Sequence, residues 1–255
     1  MEVKKLYVLP LIGGTAIIIA VSIWTYGFYQ AKVLPTSFLS VTGTSEKIVT
    51  SDTVKWSSTF TRTVDSTSLK TGGEQMKNDQ ATIRAYFKSV GVKDEEITIN
   101  PIVITPLCEN QSNVMYDRYG NQTCGGNRNT GYSLQETAIV ESDQVKPITD
   151  LSQKATDYLL SKGLVFSTQG LEYYYNKLSD LRLELISEAT KNAKDRAERI
   201  AEGTGAKVGS IQSASTGVFQ VNAKNSVEVS DYGVYDTTSV DKKVTAVVKV
   251  SFNLK

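Results

Sequence analysis

Between Leu6 and Tyr29 the chain reads LYVLPLIGGTAIIIAVSIWTYGFY and carries no charged residue. A helix of about 20 such residues crosses a hydrocarbon core roughly 30 Å thick. Residues 6–29 are therefore expected to form a transmembrane anchor, with the lipid bilayer as partner. Trp24, Tyr26 and Tyr29 gather toward one end, at the headgroup level that amphipathic rings prefer. The competing reading is a cleaved secretory signal. Its apolar run is normally shorter and ends in small residues, whereas Tyr29-Gln30-Ala31 places a ring where a small side chain is wanted. Lys4 and Lys5 favour a cytoplasmic N-terminus, a contrast that Lys32 weakens. The expected plan is a cytoplasmic tail (1–5), the anchor, a linker (30–37) and an extracytoplasmic domain (38–255) on a single-pass cell-membrane protein.

Composition removes whole classes of chemistry. The chain has no histidine, which takes away the commonest general base, the commonest zinc ligand and every Ser-His or Cys-His nucleophile pair. Its formal net charge is +1, so a general polyanion-binding role has no electrostatic basis and no nucleic-acid partner is expected. The two cysteines, Cys108 and Cys124, flank the polar loop ENQSNVMYDRYGNQT. No further Cys or His stands near them and there is no C-x-x-C pattern, so neither zinc nor redox chemistry is indicated. Outside the cytoplasm they are expected to pair as a disulfide, the alternative being two unrelated free thiols. Asn110-Gln-Ser112 and Asn121-Gln-Thr123 are acceptor sequons.

Periodicity organises the rest. Two alternating, Thr- and Val-rich runs read as strands near Phe38–Lys47 and Thr53–Val64, with a turn at Ser51-Asp52. Met76, Ile83, Phe87 and Val90 then recur at helical spacing before Gly91. EEITINPIVITPL returns to strand character, the cysteine loop interrupts it, and GYSLQETAIVES resumes as an antiparallel partner. A second cycle has a helix through Leu151, Ala155 and Leu159 that ends at Gly163, then a strand LVFSTQGLEYYYN and a long helix from Ser179 to Glu202. Ser179 or Asp180 is the expected cap of that helix. AKVGSIQSASTGVFQVNA and KKVTAVVKVSFNLK read as strands around a polar loop (224–241). The order ββαββαβαββ is that of an α+β fold, antiparallel sheets with helices packed on one face.

The segment EGTGAKVG resembles a phosphate loop, but its polarity is wrong. Phosphate sits where glycines follow a strand and precede a helix, because the free N–H groups and the positive dipole end lie there. Here Ile186, Ala189, Ala193, Ala197 and Ile200 form a helical stripe before Gly203 and Gly205, so the glycines end a helix whose carbonyls repel anions. Alanines at 189, 193, 197 and 201 allow close approach to a sheet. The charges on the other faces solvate the helix, with an i,i+4 contact expected between Asp195 and Arg199.

Four stretches in order carry a resemblance: VTGTSEKIVTSDTVKWSSTFT, then ITINPIVITP with GYSLQETAIVESDQVKPITDLSQKATDYLLSKG, then the Ala-rich SEATKNAKDRAERIAEGTGAKVGSIQSAS, and finally VTAVVKVSFNLK. Together they resemble the SIMPL domain family of extracytoplasmic and secreted proteins over roughly residues 38–255. The resemblance implies a partly dodecin-like α+β fold, ring- or channel-like homo-oligomers and an association with oxidative stress, and it implies no catalytic residues. The chain departs from the family pattern in its anchor, its Cys108–Cys124 loop and its long polar loop.

The expected function follows: a membrane-anchored, non-enzymatic protein that assembles with itself into a ring or channel and has a role in envelope or oxidative stress. Tyr173, Tyr174 and Tyr175 cannot all point inward from one strand, which makes them candidate oligomer contacts, alternate tyrosines on a wet sheet face being the other reading. A ligand- or partner-binding module is the alternative function, with Tyr116, Asp117, Arg118 and Tyr119 at the centre of the stapled loop as its recognition residues. Asp94, Glu95 and Glu96 are neighbouring carboxylates in a turn, and no spacing brings them to bear on one substrate. No metal and no organic cofactor is expected.

Overall fold

The computed structural model describes residues 3–32, 37–110, 115–120, 122–126, 128–228 and 230–255. Half of the expected linker, the sequon residue Asn121 and parts of both long loops lie outside them. The first helix, α1 (Val3–Lys32), is 30 residues long, and its described side chains, 14–29, are exposed on every face. Among the described residues no helix is long and apolar enough to cross a membrane. The expected span 6–29 is thus seen as helix.

Beyond α1 the chain is α+β and divides into two compact units. The larger comprises residues 45–186 and 218–246. Its sheet is built from β2 (Thr53–Asp65), β3 (Ile97–Ile99), β4 (Val103–Cys108), β7 (Asn129–Ser142) and β8 (Val165–Tyr174), in the order β3-β7-β2-β8 with β4 also on β7. All of these pairings are antiparallel, with Val54 opposite Ser142 and Asp65 opposite Gly131. Strand alternation puts Val54, Trp56, Ser58 and Phe60 on the buried face. Two helices cover that face, α2 (Leu69–Ser89) and α3 (Val145–Ser161). Trp56 is the centre of the layer, its ring 5.1 Å from Phe87 of α2 and 6.0 Å from Phe166 of β8. A short 3-10 turn, Asp94–Glu96, leads into β3 and replaces the start of the expected strand.

The smaller unit comprises residues 1–44, 187–217 and 247–255. It holds parts of β1 (Phe38–Thr50), α4 (Leu178–Thr204) and β12 (Asp241–Leu254), together with β9 (Val208–Thr216), which pairs antiparallel with β12. Ala189, Ala193, Ala197 and Ala201 are buried, and Gly43 of β1 lies so close that a Cβ there would stand 2.0 Å from the Ala189 carbonyl oxygen. The alanine stripe therefore does what its spacing implies. Ile200, expected on that stripe, is exposed, because Ala201 takes the inward position. On the solvated face Lys194 and Glu198 form an ion pair at 3.6 Å. The helix starts at Leu178, so Ser179 and Asp180 lie in its first turn and neither is its cap. Gly205, at φ +76°, follows its last turn, which fits a left-handed helix stop and not a phosphate cradle.

Candidate functional site

The disulfide forms: Cys108 and Cys124 are joined with Cα atoms 5.4 Å apart. Cys108 is the last residue of β4 and is buried. The loop it closes is a small hairpin, β5 (Met115–Tyr116) against β6 (Gln122–Thr123), with Met115 opposite Thr123. Its tip is a hydrogen-bonded turn. The Asp117 carboxylate accepts from the Tyr119 N–H at 2.8 Å, and the Gly120 N–H donates to the Asp117 carbonyl at 3.0 Å. The Gln122 side-chain amide donates to the Pro106 carbonyl at 3.2 Å and ties the hairpin to β4. The four expected recognition residues are thereby brought together. Asp117 shapes the turn, the Arg118 guanidinium stands 5.1 Å from the Tyr119 ring, and Tyr116 and Tyr119 are 70% and 77% exposed. Met115 is exposed beside them, a residue that a reading of this loop as merely polar passes over. Tyr, Met and Arg on a fixed tip are the side chains that protein interfaces favour.

A second cluster, inside the larger unit, was not anticipated. Asp79 sits on the buried stripe of α2 between Met76 and Ile83. It is held by the Arg62 guanidinium of β2 through its Nε and through its second nitrogen, the latter at 2.7 Å. Glu136 of β7, directly opposite Phe60 of β2, is also buried, and its Oε2 has no hydrogen-bond partner. Burial first, and the negative charge of Asp79 second, push its carboxyl above the usual carboxylate range. A folded-state pKa above the unfolded value means that the folded protein binds its proton more tightly. Stability is therefore lost as pH rises from the unfolded pKa through the folded one, and regained on acidification. Glu136→Gln is accordingly expected to raise the melting temperature at pH 7 and to leave it nearly unchanged at pH 4, a difference that paired thermal melts will read.

The adjacent acids Asp94, Glu95 and Glu96 do not converge. Asp94 binds Arg84 at 2.8 Å, while Glu96 accepts from the Ser142 hydroxyl at 2.7 Å and from the Lys93 N–H at 2.8 Å. Among the described residues no group of three or more His, Cys, Asp or Glu side chains is placed to hold a metal ion.

A family model, SIMPL, described as a protein of unknown function (DUF541), matches residues 39–252. The chain belongs to the SIMPL family. No curated protein matches it. The match runs from β1 into β12 and so leaves α1 outside, while the stapled hairpin and the 224–241 loop fall within it.

In this SIMPL protein the 224–241 loop is more ordered than its composition suggests. It contains β11 (Val234–Tyr235), which pairs in parallel with β10 (Gln220–Ala223). Gln220 and Asn222, both buried, use their side-chain amides to hold the Ser230 and Glu228 carbonyls at 2.6 and 2.7 Å. Lys242, on the inward parity of β12 and wholly buried, donates to the carbonyls of Asp236 and Ser239 at 2.5 and 2.8 Å. Burial opposes ionisation of Asp236, but hydrogen bonds from Ser239 and Thr238 and the Lys242 ammonium outweigh it and hold the carboxyl well below its ordinary range.

The three tyrosines are largely spent within the chain. Tyr173 is buried, its hydroxyl 3.1 Å from that of Thr149, so this candidate oligomer contact is a core residue. Tyr174 stacks on Tyr235 at 6.3 Å and donates to Glu172 at 3.1 Å. Tyr175, half-buried, packs against the cluster around Leu181 and Leu185.

Proposed function

We propose that this SIMPL protein is a membrane-anchored, non-enzymatic assembly protein. Its α1 lies in the cell membrane with the N-terminus cytoplasmic, and its SIMPL domain stands outside and associates into a ring- or channel-like homo-oligomer that serves in envelope or oxidative stress. The observation that carries this reading is α1 itself. Thirty residues of helix rise about 45 Å, and Ile17, Ile18, Ile19, Ile23, Trp24 and Phe28 lie exposed around it. The apolar side chains described on α1 face outward, and such a surface belongs in lipid or in a core. Anchoring every copy in one bilayer with one orientation raises the effective concentration for self-association. The non-enzymatic reading rests on carboxylates that are already committed to their own partners, Asp79 to Arg62 and Asp94 to Arg84. No nucleic acid and no cofactor enters.

The test is the mass of the full-length protein in mild detergent, by light scattering and particle imaging after membrane fractionation. A uniform multiple of the chain mass in the membrane fraction is expected. A monomer, or protein recovered without detergent, would overturn the reading.

One observation favours the partner-binding alternative, the exposed Met115, Tyr116 and Tyr119 on a stapled hairpin. On that reading, Tyr116→Ser combined with Tyr119→Ser leaves the assembled mass unchanged and abolishes capture of an extracytoplasmic partner.

A further inference from the structure

Among the described residues, β9 of the smaller unit is an edge strand, as β1 is. Among these residues β9 pairs with β12 alone, and every residue from Ser210 to Thr216 is exposed. Its register to β12 is regular from Ser213 to Thr216, the irregularities falling beyond Ser251. The Gly217 N–H donates to the Val247 carbonyl at 2.8 Å. Hydrogen-bonded pairs alternate along an antiparallel ladder, so Ser215 and Ser213 turn their N–H and C=O toward Lys249 and Ser251. Thr216 and Ala214 turn theirs away, toward the open edge.

Edges of this kind are normally blunted by Lys, Pro, a short strand or a covering element. From Val208 to Thr216 there is no charge and no proline. The regular stretch S-A-S-T is also matched to itself. Two copies placed antiparallel about Ser215 put Ala214 of each opposite Thr216 of the other. The outward N–H and C=O groups of both then pair in four backbone hydrogen bonds, and only small neutral side chains meet.

We propose that the β9 edge is a self-pairing surface whose occupant is β9 of a second copy of this chain, in the register that sets Ser215 against Ser215. This rests on the self-assembly reading above and names one contact within it, an isologous one that joins copies two at a time. Four changes in the full-length protein test it. Ser215→Cys introduces the one free thiol among the described residues. In a non-hydrogen-bonded pair the Cα atoms are about 4.5 Å apart, within disulfide reach, so mild oxidation is expected to give a covalent dimer. A cysteine at exposed Thr42 of β1 should give none. Ala214→Pro removes an outward N–H and no bond to β12. Ser215→Lys sets two ammonium groups face to face. Each of these two is expected to weaken association about tenfold or more while the circular dichroism and melting of the folded chain stay unchanged.

If the wild type assembles but Ser215→Cys fails to cross-link and neither Ala214→Pro nor Ser215→Lys loses mass, the edge is not the contact and self-assembly stands. If the wild type is monomeric, both fall. A Ser215→Cys adduct with some other protein in place of a second copy overturns the choice of occupant.

Discussion

Gly43→Val is expected to destabilise the smaller unit by about 3 kcal/mol, near the upper end for overpacked cores. The obstacle is backbone on the other side. A Cβ at residue 43 meets the Ala189 carbonyl oxygen at 2.0 Å and the Ala193 nitrogen at 2.5 Å. A crowded side chain can rotate away, but these atoms belong to the hydrogen-bonded ladder of α4, so relief requires the helix to move off β1. That separation would also give up the burial of Ala189, Ala193 and Ala197. Gly43→Ala should already cost most of the same energy, since the clash is with the first side-chain carbon. The control is Gly73 in α2, where a Cβ meets nothing within 4 Å. There an alanine is expected to stabilise by about 0.5–1 kcal/mol through helix propensity. Chemical denaturation of the three variants checks the order. A Gly43→Ala protein as stable as the wild type would mean that α4 does not pack on β1 this closely.

The contrast between those glycines shows what the sequence makes legible. The alanine ladder at 189, 193, 197 and 201 announces a helix pressed close to a sheet, and the position of Gly205 after it settles which end of the helix the glycines serve. Neither feature says which strand receives the helix, because Gly43 lies far away in sequence and becomes meaningful only in register. The same limit explains the missed ionic cluster. Asp79 occupies a position in the periodic stripe of Met76, Ile83 and Phe87, and Glu136 shares strand parity with Leu134 and Ala138. Each is a charge where the period demands an apolar residue. That is a readable local conflict, and only the fold shows that Arg62 resolves it at Asp79 and leaves Glu136 Oε2 unpaired. Lys242 is the same case, at a position alternating with Val244 and Ala246. The 224–241 loop has no apolar period because backbone carbonyls hold it, through Gln220, Asn222 and Lys242, and such contacts leave almost no trace in sequence.

Replacing Cys108 and Cys124 together by serine is expected to lower stability by about 3 kcal/mol. The separation of 16 residues is close to a loop length for which the chain-entropy model returns that value. For a chain of this size the melting temperature should fall by roughly 6–12 °C. The loss should be uneven. β5 and β6 are two residues each, and a hairpin that short does not hold itself together in water. Without the bridge, its ties to the sheet reduce to contacts such as the Gln122 amide on Pro106 and the Glu109 N–H on the Arg128 carbonyl at 3.0 Å. Tyr116 and Tyr119 would then lose their fixed presentation, while the aromatic layer around Trp56, formed by β2, β8 and α2, keeps its packing. The variant therefore separates the two functions. If self-association is the role of the SIMPL domain, detergent mass stays that of the wild type, since the β9 edge belongs to the smaller unit and the hairpin to the larger. If recognition at the hairpin is the role, a photo-cross-linking residue at Tyr119 captures its partner in the bridged protein and stops doing so once both cysteines are replaced. An unchanged melting temperature would show instead that the unbridged loop is as ordered as the bridged one. The exposed tyrosines would then owe their position to the turn at Asp117 and Gly120.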